Sequence, residues 1–256
     1  MELIKPQWAA PDHIKAFTST RIGGVSLPPY EGLNLGDHVG DQVEQVAENR
    51  RLLIEFIQRD CARDTNVKDI SAIKPNWLRQ EHTTKILLDA DSRQQRFNQA
   101  FDGHYTSQLG VVCTIMTADC LPVFICDQQG TEVALMHAGW RGLAAGIIEN
   151  ALEMFAAPND ELLVHCGPSI SQQNFEIGYE VKQALGGSDK FYQPQPNKAG
   201  HFLADLTGLL EERMVAEGVM FTQSGHCTFA ESDKFFSYRR EGVTGRIVSL
   251  LWIDKQ

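Results

Sequence analysis

Three apolar runs lie close together mid-chain: VVCTIMTA (111–118), VFICD (123–127) and EVALMHA (132–138). They constrain the fold more than any other feature. Each is short, rich in β-formers and nearly free of charge, so each reads as a buried strand. Pro122 separates the first two and cannot donate to a ladder, which predicts a bend or strand end at Ala-Asp-Cys-Leu-Pro. Gly139 and Gly142 then break the third run. After them LAAGIIENALEMFAA (143–157) reads as a helix with Leu143, Ile147, Leu152 and Phe155 as its apolar stripe.

The remaining segments extend this pattern. ELLVHCG is a strand ending in the turn GPSIS, and DLTGLLEERMVAEGV is a helix capped by Asp205. FFSYRREGVTGRIVSLLWI reads as a terminal pair of strands. Near the start, IGGVSLPPYEGLNLGDHVGD (22–41) is too rich in Gly and Pro for regular structure. A helix follows it, with Asp41 as cap, Glu44 completing a capping box, and Val43, Val46, Leu53 and Ile57 on one face. Strands and helices mix without strict βαβ alternation. The expected fold class is therefore α/β (α+β), a single α+β or layered α/β domain with a mixed sheet, and nothing divides residues 1–256 into separate domains.

Charge and composition narrow the function. A formal net charge of -10 repels a phosphate backbone, which argues against a general nucleic-acid partner. No run approaches the roughly 20 apolar residues of a membrane span, and MELIKPQWAAPDHIK has no signal-peptide pattern, so the expectation is a cytoplasmic protein without a membrane partner. Six cysteines occur without a CxxC pair, and most should be reduced core residues.

Chemistry concentrates around Cys120 and His137. His137 ends a strand just before a helix start, where anions are favoured, and Arg141 adds a fixed positive charge to that turn. Cys120 follows Asp119 at the bend. On the residues alone it is a metal ligand, a nucleophile with His137 as its base, or a buried thiol. Spacing does not choose among these, nor does it select a third ligand from His82, His104, His165, His201 and His226.

The motifs FTSTRIGGVSLPPYEGLNLG, ENRRLL, WLRQEH, TADCLPV, HAGWRGL, CGPSI, CTF and FFSYRREGVTGR resemble, over nearly the whole chain, the bacterial YfiH-like proteins, also called laccase-domain or multicopper polyphenol oxidase proteins. The resemblance implies a layered sandwich similar to the catalytic domains of cytotoxic necrotising factors. It implies one metal, usually zinc with copper as an older attribution, held by His82, Cys120 and His137. It implies a purine nucleoside phosphorylase using purine nucleosides and phosphate, with methylthioadenosine phosphorolysis and adenosine deamination at the same site. Cysteine-type editing of peptidoglycan precursors and copper polyphenol oxidation are the alternatives. Oxidation through several coppers needs more histidines than these, and no His-x-His motif is present. In this reading Cys120, His137 and Asp119 carry the chemistry, Asp119 as proton carrier or as the shaper of its bend. Arg21, Arg50, Arg141 and Arg239 are candidates for the phosphate, with Arg240 beside them, and Asn34 for the ribose. The chain departs from the family pattern at QEHT, where Thr83 stands in place of a glycine and Glu81 brings a charge, and at CGPSIS, where Cys166 reads as packing.

Overall fold

The computed structural model describes residues 1–64, 74–89 and 99–254. In chain order the strands are β1 (Leu3–Ile4), β2 (Ile14–Ser19), β3 (Pro75–Asn76), β4 (Ile86–Leu88), β5 (Gly103–Thr106), β6 (Val112–Thr117) and β7 (Leu121–Asp127). They continue as β8 (Val133–Ala138), β9 (Leu162–Cys166), β10 (Glu176–Gly178), β11 (Tyr192–Pro194), β12 (His201–Ala204), β13 (Met220–Gln223) and β14 (Ile247–Ile253). The helices are α1 (Val43–Asp64), α2 (Trp140–Ala144), α3 (Ile147–Leu152), α4 (Tyr179–Leu185), α5 (Leu206–Ala216) and α6 (Tyr238–Glu241).

Two mixed sheets stack face to face, one ordered β1-β2-β14-β6-β3 and the other β13-β9-β7-β8-β5-β4. Alternation along each strand explains the layering. Cys113 and Ile115 of β6 join Ile14, Leu251, Phe124, Cys126 and Leu135 in the core between the sheets. Val112 and Met116 face the other way, onto Leu53 and Ile57 of α1 and onto Leu33 and Leu35. The opposite faces of β7 and β8 pack Val123, Ile125, Ala134 and Met136 against the later helices and Phe191. The result is helix, sheet, sheet, helices, with a three-stranded sheet β10-β12-β11 at the side. This bears out the layered sandwich with mixed sheets. No helix among the described residues is long and apolar enough to cross a membrane.

The local differences have physical causes. The helix expected over 143–157 is two short helices, because Gly146 adopts a left-handed φ of 87° between them; its stripe residues are nonetheless buried. The expected terminal strand pair is one strand, β14, preceded by the short helix α6, whose Ser237 cap accepts from the Arg240 amide. Pro122 lies inside β7, opposite His137, so the bend falls just before the strand. Asp41 does not cap α1. The helix starts one residue later, Val43 is exposed, and the Asp41 carboxylate instead ties Ser26 and Asn34 into the loop. Asp205 caps α5 as expected, accepting from the Gly208 amide at 2.8 Å. The 22–41 segment is irregular but anchored. Asn49 of α1 donates to Gly32 and Asn34 carbonyls and to Ser26 Oγ, and accepts from the Val25 amide.

Candidate metal centre

The site is built at the crossing between the two stacked sheets. β6 ends in one sheet and β7 begins in the other, so Ala118, Asp119 and Cys120 must carry the chain across in three residues. Asp119 makes the turn at a φ of 97°, a left-handed conformation that costs a non-glycine residue energy and needs outside support. That support is visible. Its carboxylate accepts from the Thr228 hydroxyl and the Arg239 amide, both at 2.7 Å. Its carbonyl accepts from the Ile170 amide. Cys120 emerges half-buried at the open end of the bend.

β8 brings the second group. Leu121 pairs with Ala138 and Pro122 with His137, so one step further places Cys120 beside Gly139. A β-carbon at Gly139 would lie 2.7 Å from His82 Cδ2 and 3.0 Å from Cys120 Sγ. The glycine that breaks the strand pattern is thus also the floor on which the two side chains meet.

His82 comes from the loop before β4, and its own φ is 57°. Asp102, fully buried at the start of β5, holds this loop. Its carboxylate accepts from the backbone amides of Glu81, His82 and Thr83 and from the Thr83 hydroxyl. Thr83 therefore adds a hydroxyl bond to the anchor that a glycine would not make. Glu81 is exposed and pairs with Arg79. The same Asp102 carboxylate accepts from His137 Nδ1 at 2.7 Å, which fixes the ring and leaves Nε2 free.

The three side chains converge. His82 Nε2 lies 3.7 Å from Cys120 Sγ, and the two imidazole centroids are 4.7 Å apart. One donor atom from each of His82, Cys120 and His137 lies within 4.8 Å of the other two. Two imidazole nitrogens and one sulfur, with His137 oriented by a carboxylate and His82 exposed on one side, fit a metal ion that keeps an open position. The electrostatics are coupled. Burial drives the Cys120 thiol upward, but the adjacent His137 and His82 outweigh it and hold the group down at about 6. Burial works downward on His137, and Cys120 and Asp102 outweigh it, raising the imidazole to about 9. The pair therefore favours thiolate and charged imidazole when no metal competes.

The competing residues are engaged elsewhere. His104 faces Asp89, His165 packs with Trp8 and Phe124, His201 pairs with Glu176, and His226 with Glu231. Cys113, Cys126 and Cys166 are buried in the core, with burial raising each thiol. Cys227 contacts Ser171 and Asn174, and the Cys61 side chain lies outside the described residues.

The sequence model of the "multi-copper polyphenol oxidoreductase laccase" family matches residues 15–254. The chain belongs to this YfiH-like family. It is 41% identical to the purine nucleoside phosphorylase YfiH of Escherichia coli K12 over 254 residues, covering 98% of this chain and 99% of that protein. It is also 41% identical over 256 residues to a purine nucleoside phosphorylase of Pseudomonas aeruginosa, covering 98% of both. Among solved structures, a Neisseria meningitidis protein superposes with a TM-score of 0.88 at 37% identity, covering 100% of both chains. YlmD of Geobacillus stearothermophilus gives 0.81 at 27% identity, covering 100% of this chain and 98% of that one.

Within this YfiH-like chain the other expected site residues fall into different places. Asn34 is fully buried. Its amide donates to the Gly36 carbonyl and to Asp41, and its oxygen accepts from the Gly36 and Arg246 amides, so nothing remains for a ribose. Arg21 pairs with Glu241 at 3.0 Å and stacks on Phe236. Arg50 donates twice to the Leu35 carbonyl, lies 3.3 Å from Asp37 and stacks on Trp77. Arg240 is spent on the Thr228, Phe229 and Phe235 carbonyls and on Glu241. Arg239 reaches the site through its backbone, while its guanidinium bonds the Glu176 carbonyl and lies over Phe175. Arg141 is exposed over Trp140. Sequence reasoning missed Asp102, which stands in FDGH without a local signature.

Proposed function

We propose that this chain is a zinc-dependent purine nucleoside phosphorylase of the cytoplasm. It would cleave adenosine, inosine or guanosine with phosphate to the free base and ribose 1-phosphate, and would act on methylthioadenosine and deaminate adenosine at the same centre. The observation that carries this reading is the convergence of His82, Cys120 and His137 in a chain that matches relatives named purine nucleoside phosphorylase over 98% of its length. The two-nitrogen, one-sulfur donor set is of the kind zinc takes, and copper fits it less completely because further histidine ligands are lacking near it among the described residues. Bound there, zinc would supply a Lewis acid beside the reacting groups.

The chain's own residues do the rest. Asp102 holds His137 in one tautomer and the 81–83 loop in one place, so the centre is set before substrate arrives. As the base leaves, negative charge grows on it and positive charge on the sugar, and phosphate must be held on the sugar's open face. Arg141, without a carboxylate partner among the described residues, is free to meet an anion at the rim. Asp119 shapes the bend that presents Cys120, with both carboxylate oxygens occupied.

A second reading is favoured by one observation. Cys120, His137 and Asp102 lie in the order of a thiol nucleophile, its base and the orienting carboxylate, with the thiol already held down at about 6. That is the arrangement of a cysteine amidohydrolase, the alternative that would edit peptidoglycan precursors. One experiment separates them. Metal-replete protein should release hypoxanthine from inosine only when phosphate is present, and chelation or Cys120→Ala should abolish the release. No phosphate-dependent release from adenosine, inosine or guanosine would overturn the phosphorylase reading, and amide hydrolysis of a peptidoglycan precursor by metal-stripped protein would support the amidohydrolase.

A further inference from the structure

We infer that Arg246 forms the phosphate-binding subsite of this centre. The inference rests on the phosphorolysis reading and adds to it the residue that receives the anion. Position is the first support. Ile247 pairs with Thr117 across β14 and β6, so Arg246 stands beside Ala118, where the bend carrying Asp119 and Cys120 begins. The second is how firmly it is held. Its amide donates to Asn34 Oδ1 at 2.9 Å and its carbonyl accepts from the Leu35 amide at 3.1 Å. Its stem lies against Gly36, where a β-carbon would come within 2.8 Å of Arg246 Cγ.

The third support is what the guanidinium lacks. Nη1 donates to the Thr244 and Gly245 carbonyls at 3.0 Å each. Among the described residues no partner takes Nε or Nη2, and no carboxylate lies within 4.0 Å of the group. Of the other arginines, Arg21 and Arg240 are spent on Glu241 and Arg50 on Asp37 and the Leu35 carbonyl, Arg239 turns its guanidinium away to the Glu176 carbonyl, and Arg141 stands exposed over Trp140 without the buried anchoring of Arg246. A half-buried guanidinium without a counterion is costly, and an incoming anion removes that cost. Burial holds the guanidinium below the ordinary arginine range, the direction expected where a charge lacks a counterion. Two parallel N–H donors from one planar fork match two phosphate oxygens.

The test is a titration of inorganic phosphate into the metal-replete protein, followed by phosphorus NMR, for wild type, Arg246→Met and Arg246→Lys. The phosphate dependence of inosine cleavage is measured in parallel. Metal content and thermal midpoint control for folding, and Arg246→Lys keeps the comparison usable if the methionine variant is unstable. Arg246→Met should weaken phosphate binding about tenfold to a hundredfold, the loss expected for charge-assisted hydrogen bonds. Arg246→Lys should fall in between, since it keeps the charge and loses the fork. The KM for inosine should move several-fold less than that for phosphate. Unchanged phosphate constants in both variants would overturn the subsite and leave the phosphorylase reading intact. Phosphate binding that needs Arg246, in a protein that does not cleave nucleosides, would leave the subsite and overturn the reaction.

Discussion

Asp102 gathers two tasks into one carboxylate. It orients His137 from β8 and tethers the loop that carries His82, so both imidazoles depend on it. Burial raises the energy of its charge, yet the bonds from His137 and Thr83 hold the group below the ordinary aspartate range. Asp102→Asn keeps the volume but turns one acceptor into a donor that faces N–H groups. Metal affinity should fall by about 10- to 100-fold, as for outer partners of ligating histidines. Competition with a chromophoric chelator measures this, and circular dichroism checks that the sandwich is intact. An affinity within about twofold of wild type would reduce Asp102 to a fold anchor. At this scale Cys120 and His137 were legible, because a strand break beside a thiol and a strand-ending histidine leave local traces. His82 needed the family resemblance, and Asp102 left no trace because its bond to His137 is made across a ladder, 35 residues away.

The elements around the site are joined by the bend rather than by their own propensities. Asp119 holds the left-handed turn between the sheets and clips both the Thr228 segment and α6 to it. Two readings of this residue differ in outcome. If relief of the backbone conformation dominated, Asp119→Gly would be neutral or stabilising. If the clips dominate, as the two 2.7 Å bonds indicate, Asp119→Gly and Asp119→Ala should both lose about 2–4 kcal/mol in urea unfolding. Asp119→Asn keeps one acceptor and tolerates the turn, so it should lose less. Exchange of the Arg239 amide proton should quicken in the glycine and alanine variants before global unfolding does. Element identity was readable where one face was uniformly apolar, as in β6, β7, β8, β9 and α5. It was not readable in FFSYRR, where two buried phenylalanines imitate a strand while Ser237 caps a short helix. Over 143–157 the apolar stripe was right, but Gly146 sits on it as a break.

At the scale of the whole molecule, the α/β class followed from strand and helix patterns that mix without strict βαβ alternation, whereas the pairing of distant strands did not. β14 lies between β2 and β6, and such long-range order leaves no local mark in a single sequence. Glu241 ties the segment after β2 to the turn before β14. It joins Arg21, just after β2, to Arg240 and to the Thr244 hydroxyl, and accepts from the Ser237 amide. Burial pushes its carboxyl upward, and the Thr244, Arg240 and Ser237 bonds outweigh that and hold it below the ordinary glutamate range. The sign follows directly. A carboxyl that is more acidic folded than unfolded contributes its full stabilisation above the unfolded value of about 4.3. That contribution is lost as the pH falls from there through the folded value. Glu241→Gln should therefore be less stable than wild type at pH 7, by about 1 kcal/mol once solvent screening of a partly exposed group is allowed for. The two urea midpoints should converge as the pH drops below about 4. A constant gap from pH 7 to pH 3 would mean that Glu241 acts by shape and hydrogen bonding alone, and that the tie between these two segments does not depend on its charge.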